Sequence, residues 1–297
     1  MSRSECLAGA RAALLVALAP ALLGGCAALH HGFLGAAGPV AGEQRELFWI
    51  VAAILAFVAG PVLILTPIVA WHYRRSNTGN AYRPEWNFSW PLEGFIWIPP
   101  AMIVIVLAVL LWTYTHRLDP YRPVAGGPPL EVQVIAADWK WLFVYPDNAT
   151  GAGVASVNRL VVPVGRPVRL TMTSTTVMQS LIVPRLTGQI YAMAGMTTHL
   201  DFRADQAGTY HGRNTQYNGE GFPHQSFTVE AVAPARFRDW LRGSSRTAPS
   251  FRAAGQALLA EKSVVVSPRV YSRVSPGFFA SIVAAGSRGG HSHGTGR

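Results

Sequence analysis

Two long apolar segments dominate the pattern of hydrophobic and polar residues in the first part of this chain. Residues 47–71 and 95–115 contain no Asp, Glu, Lys or Arg. An α-helix rises about 1.5 Å per residue, so either segment can cross a hydrocarbon core of about 30 Å. Trp49, Trp71, Trp97 and Trp112 lie near the ends of the segments, where interfacial aromatic residues are common. The pattern predicts two transmembrane helices, at 47–71 and 95–115.

The pattern changes to a period of two in the region 128–233. Glu-Val-Gln-Val at 131–134, Val-Arg-Leu-Thr-Met-Thr at 168–173 and Ser-Phe-Thr-Val-Glu-Ala at 226–231 alternate between polar and apolar residues. Such alternation indicates strands with one wet face and one buried face. Gly-Arg-Pro at 165–167 and Gln-Ala-Gly at 206–208 supply turns. About a hundred residues of short strands and turns predict a β-sandwich or Greek-key barrel.

The region after the predicted sandwich has helical periodicity. Amphipathic stretches at 236–241 and 251–259 and an apolar segment at 278–283 predict a short helical arm over 234–285. Residues 286–297 are rich in Gly, Ser and His, and we expect them to be disordered. The predicted fold class is therefore an α+β membrane protein: a two-helix transmembrane hairpin, a β-sandwich and a helical C-terminal region.

The amino-terminal residues 1–25 have the pattern of a secretory signal peptide. Arg3 and Arg11 supply positive charge, and the apolar stretch 12–23 is too short for an ordinary membrane span. Leu-Gly-Gly-Cys at 23–26 resembles the lipobox of bacterial lipoproteins, in which the cysteine receives a lipid. We expect lipidation of Cys26 and a periplasmic segment over 26–46, which would add a second attachment to the membrane. The alternative is an ordinary signal peptide with a chance cysteine.

The loop between the two predicted spans gives the orientation. It covers residues 72–94 and carries Arg74, Arg75 and Arg83. The positive-inside rule places a short basic loop of this kind in the cytoplasm. The amino terminus and the sandwich are then expected on the periplasmic side of a bacterial inner membrane, with membrane lipid as a partner.

Charge and cysteine content exclude other classes of protein. The net charge is +10, but the arginines are scattered and form no Lys/Arg-rich run, so we expect no nucleic-acid partner. Basic segments beside anionic lipid are a commoner explanation in a membrane protein. The two cysteines are Cys6 and Cys26. Removal of the first with a signal peptide leaves no disulfide framework and no free thiol beyond Cys26 for copper, zinc or an iron–sulfur cluster.

Several motifs carry a resemblance to a known family. They are Asp-Trp-Lys-Trp at 138–141, Val-Met-Gln-Ser at 177–180, Pro-Arg-Leu at 184–186, Gln-Ile-Tyr-Ala-Met-Ala-Gly-Met at 189–196 and Gly-Thr-Tyr at 208–210. With two spans and an outer sandwich, these motifs resemble subunit II of the respiratory haem-copper oxidases, in its cytochrome bo-type ubiquinol-oxidase branch. The resemblance covers about residues 22–284 and implies a cupredoxin-like sandwich.

The other branch of that family, the cytochrome c oxidases, holds a binuclear copper centre in this sandwich. Thiolates and imidazoles suit such a soft copper pair. The motif Gly-Thr-Tyr-His-Gly at 208–212 matches the family. Counting onward from this motif identifies the residues of this chain that stand at the ligand positions of the following loop. The thiolate positions hold Asn214 and Asn218, the glutamate position Gln216, the histidine positions Gln179 and Phe222, and the methionine position Gln225. All six copper ligands are replaced, so the resemblance implies that this chain binds no cofactor of its own.

The resemblance also implies a function. It points to an accessory subunit of a proton-pumping ubiquinol oxidase, which couples quinol oxidation to the reduction of oxygen to water. Haems and copper are then expected in partner subunit I, ubiquinol is the substrate of the complex, and subunits III and IV are further partners. This chain would stabilise the complex. The alternatives are an electron-transfer protein like subunit II of cytochrome c oxidase, and a free-standing lipoprotein module for binding or assembly.

Glu93 is the candidate for a chemical role, at the start of the second predicted span. A carboxylate at the edge of the hydrocarbon is costly and suggests function. In the family, a glutamate at this position lies at the cytoplasmic mouth of a proton channel of subunit I, so the resemblance implies a role in proton uptake. The alternative is a charge that stabilises the N-terminus of a helix through the macrodipole.

Overall fold

The computed structural model describes residues 32–74, 76–77, 79, 85–146 and 153–291. The predicted signal peptide at 1–25 and Cys26 lie outside the described residues, as do Arg75 and Arg83 of the loop. The chain divides into two compact units. We call the described residues of Glu43–Asp119 the helical unit, and the described residues up to Gly42 together with those from Pro120 onward the sandwich unit.

Two long helices, α1 (Pro39–His72) and α2 (Trp90–Arg117), supply most of the helical unit, and the first four residues of α1 belong to the sandwich unit. Each contains an apolar window long enough to cross a membrane, and neither window is buried against other parts of the chain. Both helices exceed the apolar runs that predicted them, because polar residues extend their ends. Pro39 and Pro91 lie in first turns, where proline is well tolerated.

Within the described residues, eleven strands build the sandwich of the sandwich unit, confirming the predicted cupredoxin-like fold class. Their bounds are β1 Leu130–Ala137, β2 Lys140–Tyr145, β3 Gly153–Val157, β4 Arg159–Pro163, β5 Pro167–Ser174, β6 Gln179–Val183, β7 Thr187–Ala192, β8 Thr198–Arg203, β9 Gly208–Asn214, β10 Ser226–Val232 and β11 Arg269–Val274. One sheet has the order β11-β3-β2-β1-β5-β8 and the other β4-β10-β9-β6-β7. The pairs β1–β5 and β4–β10 are parallel, and the remaining pairs are antiparallel.

The alternation seen in the sequence places one face of each sheet in a shared core. Val132, Val134, Trp141, Phe143 and Leu170 belong to the cluster between the sheets. In β9 and β10, residues facing outward alternate with buried ones, as expected for a sheet with one solvated face. In β2, every residue is buried. The six-stranded sheet is therefore covered on both faces.

The C-terminal arm covers the second face of the six-stranded sheet. It contains helices α3 (Pro234–Thr247), α4 (Arg252–Ala260) and α5 (Phe278–His291). The second cluster of buried side chains joins residues of the sheet to residues of the arm. Its members include Ile135, Leu142, Val144, Phe251 and Phe279.

Two predictions for the C-terminal region were wrong in part. The arm at 234–285 is not only helical, because β11 (Arg269–Val274) pairs with β3 and extends the sheet. The predicted disorder over 286–297 is contradicted at 286–291, where α5 continues. Gly286 lies against the backbone of Ala194 and Gly195, so the glycine that suggested disorder permits a close helix contact instead. Residues 292–297 lie outside the described part of the chain.

The segment preceding α1 is part of the sandwich unit, which the sequence did not predict. The Ala37 N–H donates to the Arg185 carbonyl at 2.8 Å, and the Asp205 N–H donates to the Ala37 carbonyl at 2.8 Å. The Arg185 guanidinium also donates to the Gly35 carbonyl at 2.7 Å. Ala37 itself is buried in the cluster between the sheets. This part of the predicted 26–46 segment is therefore fixed to the domain.

Candidate functional site

Four of the six positions predicted to correspond to copper ligands lie together at one end of the sandwich. Gln179 begins β6 and Asn214 ends β9, and these strands are antiparallel neighbours. Gln225 immediately precedes β10, and Asn218 lies in the loop between β9 and β10. We call these four side chains the amide cluster.

Gln225 is the centre of the amide cluster. Its Nε2 donates to Oε1 of Gln179 at 2.5 Å and to the Ala137 carbonyl at 3.3 Å. Its Oε1 accepts from Nδ2 of Asn214 at 3.0 Å and from Nδ2 of Asn218 at 2.7 Å. Gln179, Asn214 and Gln225 are buried. Because a buried amide is costly when its partners are missing, these mutual hydrogen bonds are what makes the cluster stable.

The amide cluster also shapes the loop that follows β9. Oδ1 of Asn214 accepts from the backbone N–H groups of Ser180 at 2.9 Å and Gln216 at 3.0 Å. The Asn214 N–H donates to the Gln225 carbonyl at 3.1 Å. Hydrogen bonds from one asparagine thus hold the start of the loop without a metal ligand.

The other two positions lie in the same loop but outside the amide cluster. Gln216 contributes its backbone N–H to Asn214, as described above. Phe222 begins the short 3-10 turn Phe222–His224, and its ring lies 5.7 Å from that of Tyr217, centroid to centroid. The structure therefore brings together four of the six predicted positions and leaves two on the loop.

The amide cluster does not fit copper. Copper of the family type requires thiolate and imidazole donors, whereas the cluster offers amide groups. The Oε1 atoms of Gln179 and Gln225 are already engaged as acceptors. The buried atoms of the cluster without a protein partner are Gln179 Nε2 and Asn218 Oδ1, one donor and one acceptor. Nowhere in the described residues do three or more His, Cys, Asp or Glu side chains form a group that could hold a metal.

The two tryptophans of the Asp-Trp-Lys-Trp motif have different surroundings, and Trp139 contacts the amide cluster. Trp139 has a φ of 65°, and its Nε1 donates to the Asn218 carbonyl at 3.2 Å. A Cβ on Gly221 would lie 2.1 Å from the Trp139 ring, so glycine is required beneath that ring. Trp141 is fully buried, with its ring 5.7 Å from Phe227. Both tryptophans therefore have packing roles.

Lys140, between these tryptophans, has a role that sequence reasoning missed. Its side chain is fully buried, and Nζ donates to the carbonyls of Leu258 (2.8 Å) and Glu261 (2.5 Å) and to Ser263 Oγ (3.2 Å). The ammonium thus caps the C-terminus of α4, where the helix macrodipole favours positive charge. Burial lowers the pKa of Lys140, and the nearby carboxylates of Glu261 and Asp138 oppose that shift.

Glu93 lies in the first turn of α2 in the helical unit. Its Oε2 accepts a hydrogen bond from Trp97 Nε1 at 2.9 Å, and its backbone N–H donates to the Ser89 carbonyl at 2.9 Å. The side chain is half-buried. A carboxylate in this turn is favoured by the helix dipole. The geometry is compatible both with a helix-end charge and with a group that exchanges protons.

The chain is similar to known oxidase subunits. Residues 152–232 match the family model described as the periplasmic domain of cytochrome c oxidase subunit II. The chain is 38% identical over 263 residues to cytochrome bo(3) ubiquinol oxidase subunit 2 of Pseudomonas putida, covering 88% of this chain and 82% of that protein. It is also 38% identical over 282 residues to ubiquinol oxidase subunit 2 of Acetobacter aceti, covering 93% and 88%, respectively.

A solved structure also aligns with the sandwich. It is the periplasmic domain of subunit II of cytochrome oxidase from Bradyrhizobium japonicum, which is 22% identical with a TM-score of 0.37. The alignment covers 40% of this chain and 96% of that domain.

Proposed function

Because the chain belongs to the subunit 2 family of the ubiquinol oxidases, we propose that it is the copper-free, membrane-anchored subunit of a complex that oxidises quinol. A respiratory oxidase subunit II is part of an oxidoreductase complex of the inner membrane, and the two apolar helices fit that location. The amide cluster carries the proposal, because amides that hydrogen-bond to one another fill positions that the resemblance assigns to the copper ligands of the other branch.

Without a copper centre, this chain has no metal through which an electron could pass from a soluble donor. Electrons must then come from quinol in the membrane and reach haems and copper in another subunit, for which we propose subunit I. The role of this chain is to stabilise the complex with subunits I, III and IV. In the proposed orientation, the loop between α1 and α2 is cytoplasmic and the sandwich unit is periplasmic.

Purification of the complex through a tag on this chain tests the proposal. We expect a many-span haem protein to copurify and the preparation to oxidise ubiquinol but not reduced cytochrome c. We expect this chain, once separated from the others, to lack the purple absorbance of a binuclear copper centre after copper loading. Stoichiometric copper with that spectrum would support the electron-transfer alternative. Recovery of the chain without any haem protein would support a free-standing module.

A second proposal concerns Glu93, which we propose gathers protons for the complex on the cytoplasmic side. It rests on a half-buried carboxylate in the first turn of a span and on the family position described above. The hydrogen bond from Trp97 Nε1 to Oε2 restricts the orientation of the carboxylate.

Substitution of Glu93 should slow turnover without preventing assembly. Glu93→Ala removes the proton-accepting group, and we expect a loss of about tenfold or more in quinol oxidation, as is typical of a proton-transfer residue. Glu93→Asp keeps a carboxyl group and should retain more activity than Glu93→Gln, which keeps the shape. Rates would be compared in detergent at equal haem concentration.

Trp97→Phe is the matched control, because it removes the hydrogen bond to Glu93 but keeps the carboxylate. It should retain most of the activity. Equal rates in the Ala, Gln and Asp variants would show that Glu93 is only a helix-end charge.

A further inference from the structure

The sandwich unit contains a cleft of about 570 Å³ on the outer side of the five-stranded sheet. Strands β9 and β10 form one wall, and their outward positions alternate with buried ones. The other wall is the segment 264–268 of the C-terminal arm, between α4 and β11. All lining residues belong to the sandwich unit. The volume is in the range of clefts that hold small molecules.

One buried residue, Asn158, holds the two walls of the cleft together. Its carbonyl accepts a hydrogen bond from the Thr228 N–H of β10 at 3.0 Å. Its Nδ2 donates to the Val265 carbonyl of the arm at 2.8 Å. Its φ of 55° lies in the left-handed region, which asparagine tolerates better than most residues, and its Oδ1 accepts from the Trp141 N–H at 2.8 Å. Because the same residue fixes both walls, the cleft is formed before any ligand binds.

The lining of the cleft combines a polar side with an apolar side. Imidazole and hydroxyl groups on the sheet side come from His211, His224, Ser226 and Thr228. The apolar groups come mainly from Pro223, Val264, Val266 and Pro268. Val266 is 89% exposed, so the described chain leaves its side chain uncovered. Apolar walls with a few polar groups are the usual composition of a small-molecule site.

The charge around the cleft favours a negatively charged ligand. Among the described residues that line the cleft, none is Asp or Glu. Arg213 lies beside it on β9, opposite the lining residue Ser226 and exposed like His211. The nearby carboxylate of Glu230 is already engaged by Arg159, through hydrogen bonds of 2.8 and 2.6 Å. Within the described residues, three side chains make no hydrogen bond or ion pair: His211, His224 and Arg213.

A metal ion is the other ligand that two histidines suggest. Imidazole is a common ligand of zinc and copper ions. Protein zinc sites, however, use three or four protein ligands. In the described part of the chain, no third His, Cys, Asp or Glu joins this pair. The guanidinium of Arg213 would also repel a cation, so the charge and the donor set both favour an anion over a metal.

We propose that this cleft binds a small organic anion, in which a carboxylate or phosphate is attached to an apolar group. The imidazole N–H groups of His211 and His224 and the two hydroxyl groups can donate to the anion. Arg213 adds a positive charge beside them, and hydrogen bonds to a charged group are stronger than neutral ones. Val264 and Val266 cover the apolar part of the ligand. The proposal concerns the sandwich unit and does not depend on the oxidase role.

Titration of the full chain in a nonionic detergent tests the proposal. Phenyl phosphate and benzoate are the anionic probes, benzyl alcohol is the neutral probe, and isothermal titration calorimetry measures their affinities. We expect one anion per chain, bound about tenfold more tightly than benzyl alcohol. The tighter of the two anions identifies the preferred head group. Equal affinity for benzyl alcohol would reduce the cleft to an apolar groove, and stoichiometric Zn²⁺ binding without anion binding would make it a metal site. Either result overturns the proposal.

A change of charge at one exposed position separates the anion from the metal. Val266→Glu adds a carboxylate to the apolar wall and should weaken anion binding about fivefold or more, whereas a metal site would gain a ligand. Val266→Gln has the same shape without the charge and should keep most of the affinity. Equal anion affinities in these two variants would overturn the proposal.

Removal of the imidazoles tests which groups bind the anion. His211→Ala/His224→Ala should weaken the binding of the tighter anion about tenfold or more, because donors to a charged group are lost. His199→Ala is the control, since His199 lies on β8 of the other sheet and should leave the affinity unchanged. Unchanged affinity in the double variant would show that the anion binds elsewhere and that the assignment of this cleft is wrong.

Discussion

At the scale of single residues, the amide cluster shows how a buried polar site can be stable without a metal. Each amide side chain has both donors and an acceptor, so asparagine and glutamine can satisfy one another where thiolates could not. Gln225 does this for three partners at once. The sequence was sufficient to predict which residues replace the ligands, because the ligand positions of the loop lie at fixed distances along the chain from the Gly-Thr-Tyr-His-Gly motif. It could not predict which amides hydrogen-bond, because that depends on rotamers set by both sheets.

Replacement of Gln225 with leucine tests whether these hydrogen bonds stabilise the domain. Gln225→Leu leaves the donors of Asn214 and Asn218 and the acceptor of Gln179 without their partner. We expect the free energy of unfolding to fall by about 3 kcal/mol, as for other buried groups left unpaired. Gln216→Leu, in the same loop but outside the cluster, should change it by about 0.5 kcal/mol or less. Denaturant unfolding followed by tryptophan fluorescence measures both, and similar losses would show that the cluster has no special role.

The buried Lys140 gives the protein a specific dependence on pH. Its pKa is lowered in the folded state from the ordinary value of 10.5, mainly by burial. Between the two pKa values the unfolded chain binds more protons than the folded chain, so the contribution of Lys140 to stability rises with pH. The difference in unfolding free energy between wild type and Lys140→Met should therefore increase toward pH 10.5, by at most about 1.4 kcal/mol per pH unit.

The wild type must be compared with Lys140→Met, because buried tyrosines also change the stability of the protein in the alkaline pH range. Burial raises the pKa of Tyr145, so its contribution has the opposite sign and falls with pH above its ordinary value. That contribution is common to wild type and Lys140→Met and cancels in the difference. A difference that decreases with pH would show that the charged form of Lys140 is the more favourable one in the folded state.

At the scale of elements, periodicity predicted the strands and helices whose one face is buried. Periodicity failed where the secondary structure of an element depends on contact with residues that are distant in the sequence. The strand β11 is an example, because Arg-Val-Tyr-Ser-Arg-Val at 269–274 becomes a strand only against β3. The early start of α1 is another, since the polar residues before 47 show no apolar run and Ala41 is buried in the structure. The extension of α5 through its glycines depends on contact with the loop at Gly195.

Two glycine substitutions separate these packing effects from helix propensity. Gly195 has a φ of 73°, and an added Cβ would lie 2.7 Å from the Ser287 nitrogen, so Gly195→Ala should push α5 away. We expect a loss of about 1–3 kcal/mol in unfolding free energy. Gly243 lies within α3 with open space around it, and Gly243→Ala should stabilise by up to about 1 kcal/mol. Thermal unfolding of the two variants measures these changes. A neutral Gly195→Ala would mean that α5 does not need this contact.

At the scale of the whole molecule, membrane attachment involves more than one segment. The two helices can anchor the chain by length and composition. The predicted lipid on Cys26 would attach a third point, thirteen residues before Pro39. The sequence predicted the spans because a long apolar run is a strong signal. It did not predict that the segment Gly35–Ala37 hydrogen-bonds to the sandwich, because three small residues show no periodicity.

Cysteine replacement separates the two kinds of anchor. We propose that Cys26 is lipidated, and Cys26→Ser should then abolish incorporation of labelled palmitate. The protein should stay in the membrane fraction after an alkaline carbonate wash, because α1 and α2 remain inserted. Loss of the variant from the membrane would contradict the span assignment. Absence of label in the wild type would contradict lipidation.

The bond between the Arg185 guanidinium and the Gly35 carbonyl joins residues 150 positions apart and has a consequence for biogenesis. The segment at 35–37 is synthesised before both helices, whereas its partner Arg185 is made 150 residues after Gly35. In the proposed orientation, the backbone groups of this segment stay without these partners until Arg185 and Asp205 have also crossed the membrane. Contacts of such long range make folding slow. The sandwich can therefore close only after membrane insertion is finished, and the order of translation makes the earliest residues among the last to be fixed.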